Sequence, residues 1–281
     1  MSQPARRFVI AGVVLLLALG TGLYLLYRSS PLSQGPPGCS AALGVTAGAG
    51  SDTVAEGMSE YPLSTEQADN AATIASVGAT LGMPDRAITV ALATALQESG
   101  LHNLDHGDRD SIGLFQQRPS QGWGSAGEIA DPVYAARAFY RRLNKLPHWT
   151  RLDINDAAQA VQRSAVPDAY GQWEDQARTI AAALTGDPDA SITCHDLRLG
   201  RPQSPLVLVA RRELGTAALS GWQPGERGRQ IGNWLVAHAL RFGIDRVTVD
   251  GNTWTAESGA WSRGGPADGR LSLHQVGSPT S

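Results

Sequence analysis

Gln97-Glu98-Ser99-Gly100, followed by Gly107-Asp108-Arg109-Asp110-Ser111-Ile112-Gly113-Leu114-Phe115-Gln116-Gln117-Arg118-Pro119, is where the chemistry of this chain is concentrated. The first part closes a helix. Pro84 suits the first helical position and Gly100 the position just past the last. Between them Ala87, Ala91 and Ala95 recur at helical spacing, and the same stripe continues to Glu98. A carboxylate is thus expected on the core-facing side of the helix and in its last turn, where the helix dipole is negative. Burial and the dipole both raise a carboxyl pKa. A carboxyl group held partly protonated near neutral pH is what a general acid requires. A Glu98 that swings into solvent from a fraying helix end is the alternative reading.

Outward from this helix the pattern stays helical. Ser64 and Gln67 fit a capping box ahead of Ala68, Ala71, Ala75 and Val77, and Gly82 stops that helix. Asp131-Pro132 opens a third helix through Ala136, Phe139, Tyr140 and Leu143. Asn155 or Asp156 opens a fourth, and Asp168 caps a fifth that ends near Gly186. Five helices with no strand predict an all-α domain over residues 61–195. From Arg201 the pattern changes. An apolar run, Leu206 to Ala210, precedes a helix from about Arg227 to Phe242 that carries Ile231, Trp234, Leu235 and Ala239 and ends at Gly243. Ile244, Val247 and Val249 then suggest a strand, Asp250-Gly251 a hairpin turn, and Leu271–Val276 a last strand. Residues 201–281 therefore read as a small α+β domain.

The quoted stretch resembles the lysozyme superfamily, in particular the soluble lytic transglycosylases and goose-type lysozymes. Those families pair a helix-ending Glu-Ser with a Gly-Leu-Met-Gln turn. Glu98-Ser99 and Gly113-Leu114-Phe115-Gln116 occupy those places, with Phe115 instead of Met. Gly107-Asp108-Arg109 is similar to the Gly-Asp-Arg of goose-type enzymes. The stretch Gly113–Gly124 resembles exported actinobacterial proteins. The resemblance covers about residues 62–186 and implies a lysozyme-like fold that cleaves the β-1,4 bond between N-acetylmuramic acid and N-acetylglucosamine in peptidoglycan. It implies Glu98 as the acid that protonates the glycosidic oxygen and then, as a carboxylate, takes the proton of the muramic 6-hydroxyl. Hydrolysis with inversion would need a second carboxylate about 6.5–9.5 Å away, for which Asp108 and Asp110 are the candidates. Ser99, Ser111, Gln116, Gln117 and Trp123 are candidate substrate contacts. Gln116 would bind sugar amides or orient water, and Trp123 would stack on a sugar ring or sit in the core. The sequence departs from the family in two places. Transglycosylases carry a later Ala-Tyr-Asn-Ala-Gly; here the nearest equivalent is Ala160-Val161-Gln162-Arg163-Ser164, which lacks the Tyr and leaves Gln162 or Ser164 as a partial substitute. Goose-type enzymes place an acid two residues after the Gln, where this chain has Arg118.

Other chemistries fit the stretch less well. His102 and His106, flanked by Asp105, Asp108 and Asp110, have metal-ligand types at a spacing of four, but follow the helix-ending Gly100. A calcium loop begun at Asp108 would place Ile112 and Pro119 at ligand positions. A serine hydrolase lacks its Gly-x-Ser-x-Gly elbow. Neither a cofactor nor a metal is expected.

The N-terminus sets the compartment. Phe8–Tyr27 is a 20-residue stretch without charge, preceded by Arg6 and Arg7 and followed by Arg28. Twenty residues at 1.5 Å span a ~30 Å hydrocarbon layer, so residues 1–30 read as a cytoplasmic N-terminus with a single transmembrane helix through residues 8–27, the remainder lying outside the membrane. A cleaved signal peptide, which would leave a secreted protein, is the alternative. A lipoprotein is excluded by Pro36 three residues before Cys39. Residues 31–60, rich in Ser, Gly, Pro and Ala, read as a flexible tether. Outside the cell the two cysteines, Cys39 and Cys194, are the one available intramolecular pair.

Composition narrows the function classes. The chain of 281 residues has 42% hydrophobic and 17% charged residues, enough apolar material for a packed core. Its formal charge is −3. Removing residues 1–30 takes away three arginines and no acid, leaving 20 basic and 26 acidic residues, a formal charge of −6. No basic face suits nucleic acid. Expected partners are peptidoglycan glycan strands, the membrane through residues 8–27, and cell-wall proteins by way of the C-terminal domain. That domain carries Trp222, Trp234, Trp254 and Trp261, which read either as core or as a glycan- or partner-binding surface. It faintly resembles a module of secreted actinobacterial proteins whose last strand bears metal-binding histidines; here His274 alone stands there. Two functions remain: a peptidoglycan lytic transglycosylase or muramidase, and a lysozyme-fold protein that binds glycan strands as a non-catalytic scaffold.

Overall fold

The helix that carries Glu98 has no wet side over most of its length. It spans Asp85–Ser99, and every residue from Ala87 to Leu96 is buried. A helix buried all round belongs to the centre of a bundle. The computed structural model, which describes residues 35–44, 59–166 and 168–277, places it there. We label the helices α1 (Thr65–Thr80), α2 (Asp85–Ser99), α3 (Ala126–Ile129), α4 (Pro132–Leu143), α5 (Ile154–Gln162) and α6 (Glu174–Thr185). Helix α2 packs against α1, α4, α5 and α6.

The helix ends follow the local sequence. Ser64 and Gln67 form the expected capping box: the Ser64 N–H donates to Gln67 Oε1 (2.7 Å) and the Gln67 N–H to Ser64 Oγ (3.1 Å). Gly100, at φ 60°, ends α2 in the left-handed region where glycine costs least. Asp131 caps α4 by accepting from the Val133 N–H at 3.0 Å. Two boundaries differ from expectation. Asp153, two or three residues earlier than expected, caps α5 by accepting from the Asp156 N–H (2.7 Å). Helix α6 begins at Glu174 instead of Asp168, because a 3-10 turn over Gly171–Trp173 comes first.

The expected all-α domain is corrected by a sheet. Strands β1 (Gly38–Leu43), β2 (Ser59–Leu63) and β3 (Ala190–His195) pair antiparallel in the order β2-β1-β3. Strand β1 lies within the stretch expected to be a tether. Its Ala and Ser residues have little intrinsic strand preference, but as the middle strand it has both backbone edges paired, and Cys39, Ala41 and Ala42 are buried. In β3 the alternation Ala190, Ile192, Cys194 points to the core with period two. The register sets Cys39 opposite Cys194, and the two form the disulfide. The bond closes a sequence separation of 155 residues, worth on the order of 4–5 kcal/mol in chain-entropy terms. The expected transmembrane segment, residues 8–27, lies outside the described residues. As a correction to the expectation of a spanning helix, no helix among the described residues is long and apolar enough to cross a membrane.

The C-terminal part is mixed, as expected. It contains α7 (Leu206–Glu213), β4 (Gly221–Trp222), α8 (Gly225–Ala237), α9 (Ala239–Phe242), β5 (Ile244–Val249), β6 (Asn252–Thr255), β7 (Ala260–Arg263) and β8 (Arg270–Gln275). Its five strands form an antiparallel sheet in the order β4-β8-β5-β6-β7. Asp250-Gly251, at φ 50° and 78°, makes the hairpin turn between β5 and β6. This part packs on the helical part, and the described residues from 37 to 277 belong to one compact unit. Asn233 on α8 accepts from the Ile192 N–H (3.0 Å) and donates to Ala183 O (2.8 Å). The Trp254 and Trp261 indoles donate to Cys194 O (3.2 Å) and Ile192 O (2.8 Å). Three of the four C-terminal tryptophans are therefore inside: Trp234 and Trp254 are buried and Trp261 is half-buried, while Trp222 is 71% exposed.

The expected single helix Arg227–Phe242 is broken at His238. This side chain is fully buried, with Nδ1 2.9 Å from Trp234 O and Nε2 3.4 Å from Glu213 Oε2 and 3.6 Å from Asp69 Oδ1. Arg241 lies 3.3 Å from Asp69 Oδ2. Two carboxylates and one guanidinium leave a charge of −1, which a protonated His238 neutralises. Burial alone would push the imidazole pKa down, but Asp69 and Glu213 overcome it and hold it above its ordinary value. Burial would raise Glu213, but His238, the Trp234 indole and Arg241 bring it below its ordinary value. The His238 contribution to stability is therefore complete below about pH 6.5 and is lost as pH rises through the raised folded pKa. The Glu213 contribution is lost only on the acid side, so the two do not overlap. Denaturant unfolding from pH 6 to 9 is expected to show falling stability in the wild type. In His238→Phe that slope should disappear, with an overall loss of about 3–5 kcal/mol from leaving the carboxylates short of a cation. A wild-type stability flat over this range would contradict the charge count.

Candidate functional site

Glu98 stands at the polar end of the buried helix, and it is half-buried. Its Oε1 accepts a 2.7 Å hydrogen bond from the Tyr170 hydroxyl. Gln162, the last residue of α5, donates from Nε2 to Phe115 O at 2.8 Å. Burial raises the Glu98 pKa above its ordinary value, while the hydrogen bonds from Tyr170 and Gln162 oppose the shift. Burial, and then the hydrogen bond and charge of Glu98, push the Tyr170 phenol up. Tyr170 therefore stays protonated and acts as a donor.

Tyr170 is the residue that sequence reasoning missed. It lies 72 positions beyond Glu98, in the connection between α5 and α6, and not at the motif where a tyrosine was looked for. Ala169-Tyr170-Gly171, a lone aromatic between small residues, was the available signal. The backbone N–H groups of Tyr170 and Gly171 both donate to Asn155 Oδ1 at 3.1 Å. The following turn is tied to the residue before the acid: Gln97 Oε1 accepts from Gln172 Nε2 (3.0 Å) and from the Trp173 indole (2.8 Å).

The Gly-Leu-Phe-Gln segment is a tight turn. Ile112 and Gln117 exchange both backbone hydrogen bonds at 3.0 Å, enclosing Gly113–Gln116. Leu114 and Phe115 are fully buried, and Phe115 stacks on Phe139 with centroids 4.8 Å apart. The Ser99 hydroxyl donates to Leu114 O (2.8 Å), with Ala95 O at 3.1 Å, so it fastens the turn to the end of α2. Gln116 is left-handed, at φ 46°. Its amide is engaged within its own loop: Oε1 accepts from the Ser111 hydroxyl (3.0 Å), and Nε2 lies 3.3 Å from both His106 O and Gly113 O. A Cβ at Gly107 would overlap Gln116 Oε1 and Ser111 Oγ, so this close approach requires glycine there.

Among the described residues none of the remaining candidates hydrogen-bonds the Glu98 carboxyl group. Ser111 is buried and also donates to Asp108 O (2.7 Å). Gln117 is buried, with its amide donating to Ala135 O (3.1 Å). Asp108 is exposed and 3.8 Å from Arg109. Asp110 accepts from Arg118 Nε (2.7 Å), the Ser120 N–H (2.8 Å) and the Ser120 hydroxyl (2.9 Å), which hold its carboxyl far below the usual range. Trp123 is buried, and the Arg142 guanidinium covers its ring at 3.4 Å. His102 and His106 are engaged separately, with Glu66 (2.9 Å) and Asp105 (2.7 Å).

The assembled group is one carboxyl whose proton affinity is raised by burial and tempered by two donors, an arrangement able to deliver and then recover a proton. Tyr170→Phe removes one of the bonds that favour the carboxylate, so the Glu98 pKa should rise further. A side-chain carboxyl NMR titration should place wild-type Glu98 above its ordinary 4.5 and the variant higher still. A downward move would contradict donation by Tyr170. No family model matches the chain, and no curated protein matches it.

Proposed function

We propose that the chain is an exported enzyme that cleaves the β-1,4 bond between N-acetylmuramic acid and N-acetylglucosamine, with Glu98 as the one acid and base. The observation that carries this reading is the half-buried Glu98 receiving the Tyr170 hydroxyl at 2.7 Å, joined to the Gly113–Gln116 turn through Ser99 and Gln162. In the proposed reaction the Glu98 carboxylic acid gives its proton to the glycosidic oxygen as the C1–O bond breaks. The resulting carboxylate is stabilised by Tyr170 and Gln162. It then accepts the proton of the muramic 6-hydroxyl, whose oxygen bonds to C1 and closes a 1,6-anhydro ring. Glu98 ends protonated, as it began.

Lytic cleavage is favoured over inverting hydrolysis by the state of the loop acids. Asp110 accepts three hydrogen bonds, one of them from an arginine, and such a carboxylate is a weak base. The disulfide between Cys39 and Cys194 favours an oxidising compartment, which is where the glycan strands lie.

The test is digestion of purified sacculi with the full-length chain, followed by mass spectrometry of the released muropeptides. Anhydro-muramic products are expected from the wild type, and Glu98→Gln should lower the rate by about 10²–10⁴. Hydrated ends would replace the lytic step with hydrolysis. No release by the wild type would overturn the enzyme reading and leave the glycan-binding scaffold in its place.

The pH profile gives a second check. Activity needs the acid form, so the rate should fall as pH rises through the raised Glu98 pKa. Tyr170→Phe should lower the maximal rate and move that descending limb to higher pH.

A further inference from the structure

The phenol that meets Glu98 is carried by a connecting segment, and the aim of that segment has to be set from outside it. Tyr170 is fully buried, and a 3-10 turn, Gly171–Trp173, begins directly after it. The leading N–H groups of a helical turn have no partner inside the turn. One side-chain oxygen serves two of them here: Asn155 Oδ1 accepts from the N–H of Tyr170 and from that of Gly171, both at 3.1 Å. These two N–H groups stand on either side of the Tyr170 Cα. Bonds to both fix the planar peptide units that flank it, and with them the direction in which its side chain leaves the backbone.

Asn155 is held on the rigid part of the molecule. It is the second residue of α5, whose start is capped by Asp153. Just before that cap, Leu152 offers its carbonyl to the Arg86 guanidinium on α2, and α5 packs against α2. The acid and the clamp on its phenol donor are thus referred to the same central helix. The Gln97 tie to the turn is of a different kind. It holds the side chains of Gln172 and Trp173, two and three residues beyond Tyr170, whereas Asn155 holds the backbone of Tyr170 itself.

We infer that Asn155 is a positioning residue of this site: it clamps the backbone on both sides of Tyr170, aims the phenol at Glu98 Oε1, and acts on the acid through that bond. Its effect on catalysis rests on the glycan-cleaving reading of the Glu98 site. Without the clamp the two N–H groups turn to water and the phenol drifts from the acid.

The test is a double-mutant cycle on the full-length chain, read by side-chain carboxyl NMR titration of Glu98 and by the rate of sacculus digestion. Asn155→Ala should move the Glu98 titration to higher pH, the direction expected of Tyr170→Phe, because the phenol is no longer held as a donor. In the Tyr170→Phe background the same substitution should move it no further. Asn155→Ala should slow digestion by up to about 10²-fold, with the descending pH limb moving along with the titration. Asn155→Asp keeps an acceptor oxygen at the same reach and should recover most of the rate. If Asn155→Ala does not fold, Asn155→Ser, whose hydroxyl is too short to bridge both N–H groups, takes its place. A residue that only stabilises the fold would lower the unfolding midpoint and leave the Glu98 titration where it is, and that result overturns the inference. Equal shifts in both backgrounds would overturn it as well. The titration is read without substrate, so sacculi left uncut by the wild type would strike the glycan reading and leave the positioning role standing.

Discussion

Helix α2 has no solvent-facing side from Ala87 to Leu96, so the polar groups at its C-terminal end have to find partners from other segments. An unmet buried polar group costs about 1–3 kcal/mol, and here each residue recruits its own partner. Gln97 takes Gln172 and the Trp173 indole, Glu98 takes the Tyr170 hydroxyl, and Ser99 takes the Leu114 carbonyl. Beyond the helix, Gln67 and Asn70 on α1 bond the carbonyls of Gly100 and Leu101 at 2.8 Å. Segments 67–70, 114–116 and 170–173 converge because one buried helix ends in Gln-Glu-Ser-Gly. The candidate site is a consequence of satisfying that end.

What was legible in the sequence follows from the range of the interactions involved. Ser64 with Gln67, Gly82, Gly100, Asp131-Pro132 and Asp250-Gly251 act within four residues, and each does locally what its type predicts. Glu98 was legible because its acidity depends on a helical period and a helix end. Tyr170 was not, because the bond that matters spans 72 residues and no local pattern records it. Strand β1 failed for a related reason. Gly38–Leu43 has the composition of a linker, and it is a strand only because β2 and β3 pair with it from either side and Cys39 is bonded to Cys194. Asp110 and Trp123 were read by residue type, but Arg118 and Arg142 engage them in ways that only the folded loop reveals.

The C-terminal part contributes to the site at one remove. Strand β3 is an edge of its sheet, and an open edge invites pairing with another chain. Asn233, Trp254 and Trp261 occupy that edge with side-chain hydrogen bonds to the backbone of Ile192 and Cys194. The tryptophans that suggested a binding surface are thus largely used to hold the strand that carries the disulfide. The Asp69–His238–Glu213–Arg241 group fixes the same two parts together on the α1 side, and Asp69 lies one residue from Asn70, which holds the carbonyl beyond Gly100.

The opposing influences on Glu98 bear on the proposed chemistry. Burial favours the neutral acid, which is the form that can protonate a leaving oxygen. Tyr170 and Gln162 favour the carboxylate, which is the form left afterwards. A phenol kept protonated by its own burial and by the neighbouring Glu98 charge can donate but not accept a proton from the acid, so it stabilises the second state without taking over the chemistry. In the proposed reaction the loop acids take no part. Asp110 is committed to Arg118 and Ser120, and Asp108 stands in solvent beside Arg109. A reaction in which the sugar supplies its own nucleophile is the one that a single tempered carboxyl group can complete.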